Sequence, residues 1–302
     1  MRRNGLKWLS GGLALTFGML VIALFTVKVH ASAQGLANSH VHIQAPDRVG
    51  MGMPFFVRFS GPEGFQSVSL RWLDKDVGPL AATPTGQGRE AAVLLGVDLE
   101  TPPGTHRLTG TVFTAQGSRA FSQDVLVHAR EFPEQRLRVS REMVSPDADL
   151  LPRIERERHA ARAALERISP VQHWEEPFTR PVQGSVSSAF GLRRFFNDQP
   201  RAPHRGVDLR GAEGTPIQAF SSGEVVLAGD HYFAGRSIYI DHGLGVVTQY
   251  IHLSEILVQE GDNVVAGQII GKVGATGRVT GPHLHFGLSV LGMWVDPLPL
   301  LD

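Results

Sequence analysis

Runs in which apolar and polar residues alternate make up most of the chain after its N-terminal segment. β-branched or aromatic residues recur near every second position, and turn-forming pairs rich in Gly, Pro and Asp separate the runs. This period predicts β-strands. In the first half of the chain the predicted strands cover residues 40–45, 55–60, 67–73, 90–97, 105–113 and 121–127.

Strands at this spacing are typical of a β-sandwich, and we predict an immunoglobulin-like β domain over residues 36–130. The same period returns from residue 177 onward, again without the strand–helix alternation of a parallel sheet. The fold class expected is therefore all-β, with a C-terminal antiparallel β domain over residues 177–302. Its predicted strands are 216–220, 223–228, 237–242, 246–252, 268–273 and 285–290.

One segment between the two β domains has helical spacing instead. We predict an N-cap at Asp149 and a helix that ends near Ser169 and Pro170. Residues 130–141 are polar and expected to be extended. Residues 131–176 are thus interpreted as a linker with a short helix. The apolar positions that carry the helical period are Leu151, Ile154, Ala161, Leu165 and Ile168.

The N-terminus has the pattern of an export segment. Arg2, Arg3 and Lys7 precede an apolar run, and Ala31-Ser32-Ala33 is a small-x-small cleavage pattern. Two alternatives stay open: a signal peptide over residues 1–33, or an inner-membrane anchor over residues 8–29. Either places the remaining chain outside the inner membrane, in the periplasm or cell envelope.

Composition narrows the chemistry. The formal net charge is zero, so there is no electrostatic case for nucleic acid as a partner. The chain has no cysteine, which excludes thiolate ligands, disulfides and a cysteine nucleophile. A metal would have to be held by His, Asp or Glu. The absence of cysteine and of a wall-binding repeat favours a Gram-negative periplasm as the location of the protein. We expect the protein to be a monomer.

The candidate chemistry lies between residues 204 and 285. His204 and Asp208 are four residues apart, and Gly206 between them is expected to let the backbone turn so that both face one point. His283 and His285 project from the same face if they lie on a strand. His252 lies between the two motifs. Catalytic zinc uses three protein ligands and keeps one position for water, which this set satisfies.

At these residues the chain resembles the catalytic domain of the M23 (lysostaphin/LytM-type) zinc metallopeptidases. The resemblance implies that His204, Asp208 and His285 bind Zn²⁺ and that His252 and His283 are the catalytic pair. The matching motifs are Phe190-Gly191-Leu192-Arg193, Pro203-His204-Arg205-Gly206-Val207-Asp208, Gly223-Glu224-Val225-Val226, Ile240-Asp241-His242-Gly243, Tyr250-Ile251-His252-Leu253-Ser254, Val258-Gln259-Glu260-Gly261-Asp262 and residues 277–287.

The function implied is that of an exported zinc metalloendopeptidase that hydrolyses peptide bonds of peptidoglycan cross-links or stems. Zinc would lower the pKa of water toward about 7 and polarise the scissile carbonyl. A neutral imidazole, His252 or His283, would accept the proton, and an imidazolium would stabilise the oxyanion or protonate the leaving amine. Which histidine has which role, and which bond is cut, stay open.

Three other functions compete with this one. A latent or non-hydrolytic wall factor that regulates another peptidoglycan hydrolase is the main alternative, but silent relatives lose zinc ligands and this chain keeps all of them. A lipoyl-like carrier is disfavoured, because the only lysine after Pro177 is Lys272, inside a predicted strand. Hydrolysis of general protein substrates stays open. The N-terminal β domain is expected to position the enzyme or shield its groove.

Several further residues have two interpretations. His242 is expected to have a structural role in a turn, and His231 to be an ordinary loop residue. His40 and His42 are interpreted as exposed strand residues rather than a metal pair. A loop with Arg194, Asn197 and Arg201 either binds a carboxylate of a stem peptide or simply carries solvated polar groups.

Overall fold

A computed structural model describes residues 40–139, 142 and 145–301. The predicted export segment, 1–33, lies outside the described residues. Within the described part of the chain, no helix is long and apolar enough to cross a membrane.

Two sheets form the N-terminal β-sandwich. The first has four strands in the order β1-β3-β7-β6, and the second has five in the order β2-β9-β8-β4-β5. The strands are β1 (His42–Gln44), β2 (Arg48–Gly50), β3 (Pro54–Gly61), β4 (Phe65–Trp72), β5 (Lys75–Ala81), β6 (Thr83–Thr85), β7 (Gly88–Gly96), β8 (Gly104–Thr114) and β9 (Gly117–His128).

The six strands expected in this region are present, and three more join them. β2 and β6 are only three residues long, and β5 carries charged residues and a proline, so none of them shows the alternating period. β4 shows why an alternating sequence pattern predicts a strand of the sandwich. Its residues Phe65, Val68, Leu70 and Trp72 are buried in the sandwich core, while the residues between them are not buried.

The segment predicted to be a linker contains a strand as well as the helix. β10 (Glu134–Leu137) pairs in parallel with β12 (Arg193–Phe196), which in turn pairs with β13 (Gln199–Pro200). The three strands form a small sheet, so part of the extended segment after the sandwich is hydrogen-bonded as a strand.

The helix, α1 (Leu151–Leu165), is shorter than predicted. The N-cap prediction at Asp149 was wrong, because that residue lies inside a 3₁₀ turn, Ala148–Leu150, and Leu150 is the N-cap of α1. Pro152, which has no amide hydrogen to donate, fits in the first helical turn. The helix ends before Ser169, whose hydroxyl donates to Asp241 at 2.6 Å and draws the chain onto the sheet.

A ten-stranded sheet makes up the C-terminal domain. Its strand pairs are all antiparallel, and with the sandwich this confirms the all-β fold class. The strands are β11 (Val186–Ser188), β14 (Val207–Leu209), β15 (Pro216–Gln218), β16 (Gly223–His231), β17 (Gly235–Asp241), β18 (Val246–Ile256), β19 (Asn263–Val264), β20 (Ile269–Val273), β21 (Leu284–Val290) and β22 (Met293–Val295). A 3₁₀ turn, Leu298–Leu300, follows.

The order of three central strands positions the candidate chemistry. β21 lies between β14 and β18, and its partner residues are fixed by the hydrogen-bond register. His285 is opposite Asp208 on one side and Ile251 on the other. The motifs that are far apart in sequence therefore meet on neighbouring strands.

The sandwich and the C-terminal sheet share one apolar core. Val290 and Val295, at the end of the C-terminal sheet, belong to the same buried cluster as the sandwich residues Val93 and Leu95. The contact is close: a Cβ at Gly96 would lie 2.6 Å from a methyl of Val295. Burial of such side chains stabilises by about 1.5–3 kcal/mol each, so the two β domains stabilise one another.

Candidate metal centre and its histidine pair

Three side chains from two strands and the loop before them converge on one point. One ligand-type atom each of His204, Asp208 and His285 lies within 4.8 Å of the others, and all three residues are buried. It is the only such group found among the described residues. His204 belongs to the loop before β14, Asp208 to β14 and His285 to β21.

The backbone determines which nitrogen of His204 faces this point. Its Nδ1 is 2.7 Å from the carbonyl oxygen of Ala189, and a carbonyl can only accept, so Nδ1–H donates. In the neutral imidazole, Nε2 then carries the lone pair. That atom lies 3.0 Å from Oδ1 of Asp208 and 2.9 Å from Nδ1 of His285.

Asp208 supplies the negative charge of the site. Burial by itself would raise the pKa of its carboxyl group, but the adjacent His204 and His285 outweigh burial and hold the pKa well below its usual range. Its two oxygens have different surroundings. Oδ1 lies 2.9 Å from Nδ1 of His285, whereas Oδ2 accepts a hydrogen bond of 2.9 Å from Arg194.

Gly206 provides space beside β21 as well as a bend in the chain. A Cβ there would lie 2.5 Å from the carbonyl oxygen of Phe286 and 2.7 Å from Nε2 of His285. The chain also bends at Gly206, as expected, although its φ is not among the positive values in the described chain. Only a residue without a side chain lets the loop pass this close to β21.

His252 and His283 form a second pair beside the first group. Their ring centroids are 5.2 Å apart, and His252 lies 6.2 Å from the ring of His285. Nδ1 of His252 donates to the carbonyl of Thr276 at 2.9 Å, and Nδ1 of His283 to that of Gly281 at 2.8 Å. In the neutral rings both Nε2 atoms therefore keep their lone pairs.

The environment of His252 favours the neutral ring. Burial, followed by the neighbouring His285 and His283, lowers its pKa to about 3. Its backbone has a φ of +71°, uncommon for a residue with a side chain, and its N–H donates to the carbonyl of Ala234 at 2.9 Å. The pairing of β17 with β18 is irregular across this residue, and such strained backbone is common at functional sites.

A groove of about 400 Å³ opens over these side chains. Its lining includes His204, His252 and His285, together with a group of arginines. Those arginines are Arg194, Arg201, Arg205 and Arg278.

The donor set fits zinc. It offers two imidazole nitrogens and one carboxylate oxygen, the mixture used by catalytic Zn²⁺ with three protein ligands, whereas Mg²⁺ and Ca²⁺ prefer oxygen alone. The geometry also suits a cation. Nε2 of His204 carries a lone pair, and it faces both Nδ1 of His285 and an ionised carboxylate at about hydrogen-bond distance.

Of the other candidate residues, Arg194 is not a solvated loop charge, because it binds Asp208 and is largely buried. Asn197 pairs with the backbone of Val139, donating at 3.0 Å and accepting at 3.1 Å. Arg201 donates to Gln199 at 2.8 Å. No local sequence pattern signals the Arg194 contact, because its partner is determined by the fold.

The remaining histidines lie outside the metal centre. His242 is buried, donates from Nδ1 to the carbonyl of Ser222 and lies 2.7 Å from the hydroxyl of Thr248, in keeping with a structural role. His231 contacts Ser237 at 2.7 Å. His40 and His42 are exposed at the start of the sandwich. Lys272 pairs with Glu255 on the surface of β20.

Three buried side chains that could hold a metal, beside two further histidines, are the arrangement of a metal-dependent hydrolase. Residues 202–297 match the model of peptidase family M23. A crystal structure described as a peptidase M23 from Pseudomonas aeruginosa superposes with a TM-score of 0.62 at 31% identity, covering 83% of this chain and 94% of that one. The chain belongs to peptidase family M23.

Curated relatives are similar over the C-terminal part. Peptidoglycan DD-endopeptidase ShyA of Vibrio cholerae is 46% identical over 114 residues, which is 37% of this chain and 26% of that protein. DD-carboxypeptidase/endopeptidase Mpg of Neisseria meningitidis is 40% identical over 117 residues, 39% of this chain and 27% of that protein. The chain spans about a quarter of the length of these curated relatives.

Proposed function

We propose that this protein is a zinc metalloendopeptidase that hydrolyses peptide bonds of peptidoglycan. The observation that carries the proposal is the convergence of His204, Asp208 and His285 within 4.8 Å, beside two further histidines whose Nδ1 atoms are engaged by carbonyls. His204, Asp208 and His285 would hold the metal. Zinc bound there supplies a Lewis acid that activates water and polarises the scissile carbonyl.

The chain's own residues would then handle the protons. His252 and His283 carry lone pairs on Nε2, so either ring accepts a proton from the attacking water. The protonated ring donates to the developing oxyanion or to the leaving amine. The hydrogen bonds to Thr276 and Gly281 fix the tautomers and hold the two rings beside the metal ligands.

The substrate follows from the relatives and the groove. The names of ShyA and Mpg describe enzymes that act on DD bonds, and we infer that this chain cleaves the same class of bond in the cross-links. The arginine-lined groove suits peptide stems, which carry free carboxylates. The intact metal-ligand set disfavours a non-hydrolytic regulator.

The proposal places the enzyme in the cell envelope. The basic and apolar pattern of the first 33 residues supports export, followed by cleavage after Ala33 or retention of residues 8–29 as an anchor. Mass spectrometry of the N-terminus of the protein isolated from the envelope fraction distinguishes these two forms.

Digestion of purified peptidoglycan by zinc-loaded protein, with mass spectrometry of the fragments, tests the activity. We expect new free amino termini at the cross-links, absent with His285→Ala and after chelation. Loss of only a terminal residue from uncross-linked stems would assign a carboxypeptidase instead. Intact peptidoglycan with one zinc bound per chain would contradict the proposed activity.

A further inference from the structure

Arg194 contacts the candidate metal centre from outside residues 202–297, the segment that matches the family model. Its side chain is 17% exposed, and one guanidinium nitrogen donates to Oδ2 of Asp208 at 2.9 Å. The other oxygen, Oδ1, faces His204 and His285. The two carboxylate oxygens therefore have separate partners. Oδ2 contacts the guanidinium of Arg194, and Oδ1 faces the point where the candidate metal ligands converge.

The linker strand holds Arg194 from the opposite side. β10 and β12 pair in parallel, and their register places Gln135 beside Arg194. Nε of Arg194 donates to Oε1 of Gln135 at 2.9 Å. Ser188 completes the network, because its hydroxyl lies 3.0 Å from Nε2 of Gln135 and 3.2 Å from Nη2 of Arg194.

We propose that Arg194 is a positioning residue that engages Oδ2 of Asp208 and leaves Oδ1 as its metal-binding oxygen, and that Gln135 fixes Arg194 in this position. The inference rests on the zinc site of the proposed function. Groups that hydrogen-bond to metal ligands orient them and change metal affinity, typically by about 10–100-fold. The linker strand is thus part of the support of the metal centre and not only a spacer between domains.

The charge of Arg194 has an opposing effect, since a cation near the site repels Zn²⁺. The two effects predict opposite changes when the side chain is removed. Positioning predicts weaker zinc binding, whereas a purely electrostatic role predicts tighter binding. The sign of the change therefore decides between them.

The test is a competition titration of the full chain with Zn²⁺ against a chromophoric chelator. Arg194→Ala is expected to weaken zinc binding about 10–100-fold, and Gln135→Ala about fivefold, the equivalent of one hydrogen bond. Because Gln135 acts through Arg194, the double variant should bind zinc no more weakly than Arg194→Ala alone. Unchanged or tighter binding by Arg194→Ala, or additive losses in the double variant, would overturn the proposal.

Arg193 provides the matched control. It is the neighbouring residue on β12 and is bound to Glu134 of β10 at 2.9 Å, but it makes no contact with Asp208 in the described part of the chain. Arg193→Ala should bind zinc as the wild type does. If it weakens zinc binding as much as Arg194→Ala, the effect belongs to the strand pair and the proposal fails.

Arg194→Lys keeps the positive charge but lacks the planar guanidinium with its fixed pair of donors. It provides a second test in case Arg194→Ala does not fold. We expect it to weaken zinc binding, because an ammonium cannot reproduce the fixed fork geometry, with an unchanged circular dichroism spectrum. Wild-type affinity in this variant would show that charge alone suffices and would overturn the proposal. Zinc binding is measured without peptidoglycan, so a failure here is distinguishable from a failure of the proposed hydrolysis.

Discussion

Gly206 lies against His285, and there is no room for a side chain at this position. Gly206→Ala would bring a methyl to 2.5 Å from a backbone oxygen of β21 and 2.7 Å from the ring of His285. We expect a loss of about 1–3 kcal/mol of stability through overpacking and zinc binding weaker by about tenfold or more. Thermal unfolding and a zinc titration measure the two effects.

Gly229→Ala is the control for this change. Its Cβ would meet its nearest neighbour, a carbon of the His231 ring, at 3.6 Å, which is ordinary contact. This variant should bind zinc normally. Normal zinc binding by Gly206→Ala would show that β14 and β21 separate easily, contrary to the packing described.

His242 makes stability depend on pH. Burial lowers its pKa from 6.5 to about 4, although the hydrogen bond to Ser222 and the nearby Asp241 partly oppose the shift. Between these values the unfolded chain binds a proton that the folded chain does not, so stability falls as pH falls below 6.5. From pH 7 to pH 5 this residue should remove about 2 kcal/mol.

Denaturant unfolding of the wild type and of His242→Gln at both pH values measures that contribution. A glutamine side chain does not titrate, so the variant should lose about 2 kcal/mol less than the wild type over the same interval. The comparison cancels the contributions of the other histidines. Equal losses in both proteins would show that His242 is protonated without penalty in the folded state.

Residue spacing and the family resemblance together pointed to the side chains of the candidate metal centre. The separation of His204 from Asp208, and of His283 from His285, together with the resemblance of the surrounding motifs, predicted residues that the structure brings together. Their chemical roles remain predictions. The contact of Arg194 with Asp208 was not predictable, since it depends on a strand pairing that leaves no local pattern.

At the scale of elements, Asn197 holds the end of the linker strand. Both ends of its amide bond the backbone of Val139, and its φ of +50° is in the left-handed region. Asn197→Gly keeps that backbone conformation and removes the two hydrogen bonds. We expect about tenfold faster amide exchange in residues 134–139, from a loss of about 1–2 kcal/mol.

Hydrogen exchange with mass spectrometry provides the measurement. Peptides from β17 and β21, which do not contact Asn197 through these bonds, serve as the internal reference and should keep their protection. If exchange in residues 134–139 is unchanged, the linker strand is held by its pairing with β12 alone.

Elements with strong periodicity were predicted well, and those without it were not. β4, β8 and β18 alternate or carry long β-branched runs, and each lies near its expected position. β10 is a short polar strand whose partner is about sixty residues away in sequence, near residue 193. Its pairing is decided by tertiary contacts, which is why this segment was expected only to be extended.

For the whole molecule, the shared core predicts cooperative unfolding. Val290, Met293 and Val295 lie in the same buried cluster as the sandwich residues, so neither β domain can unfold without exposing part of the other's core. We expect one calorimetric transition for the described part of the chain, with equal van't Hoff and calorimetric enthalpies. Two resolved transitions would contradict the shared core.

Val295→Asp tests the same interface. It places a charge where Val295 is fully buried, and the cost of several kcal/mol should separate the transition into two or lower its midpoint strongly. Val265→Asp is the control, since Val265 is 63% exposed, and it should leave the transition unchanged. Sequence patterns do not indicate this interface, because both sets of residues have the pattern of ordinary core positions in separate domains.

Zinc content and peptidoglycan turnover, measured on the same sample of His283→Ala, test the central claim most directly. His283 is half of the histidine pair but is not in the group of three converging ligand atoms. We predict one zinc per chain, as in the wild type, and a loss of turnover of about 10²–10⁴-fold. Wild-type turnover in this variant would contradict the division of the site into metal ligands and a proton-transferring pair. Loss of both turnover and zinc would contradict it as well.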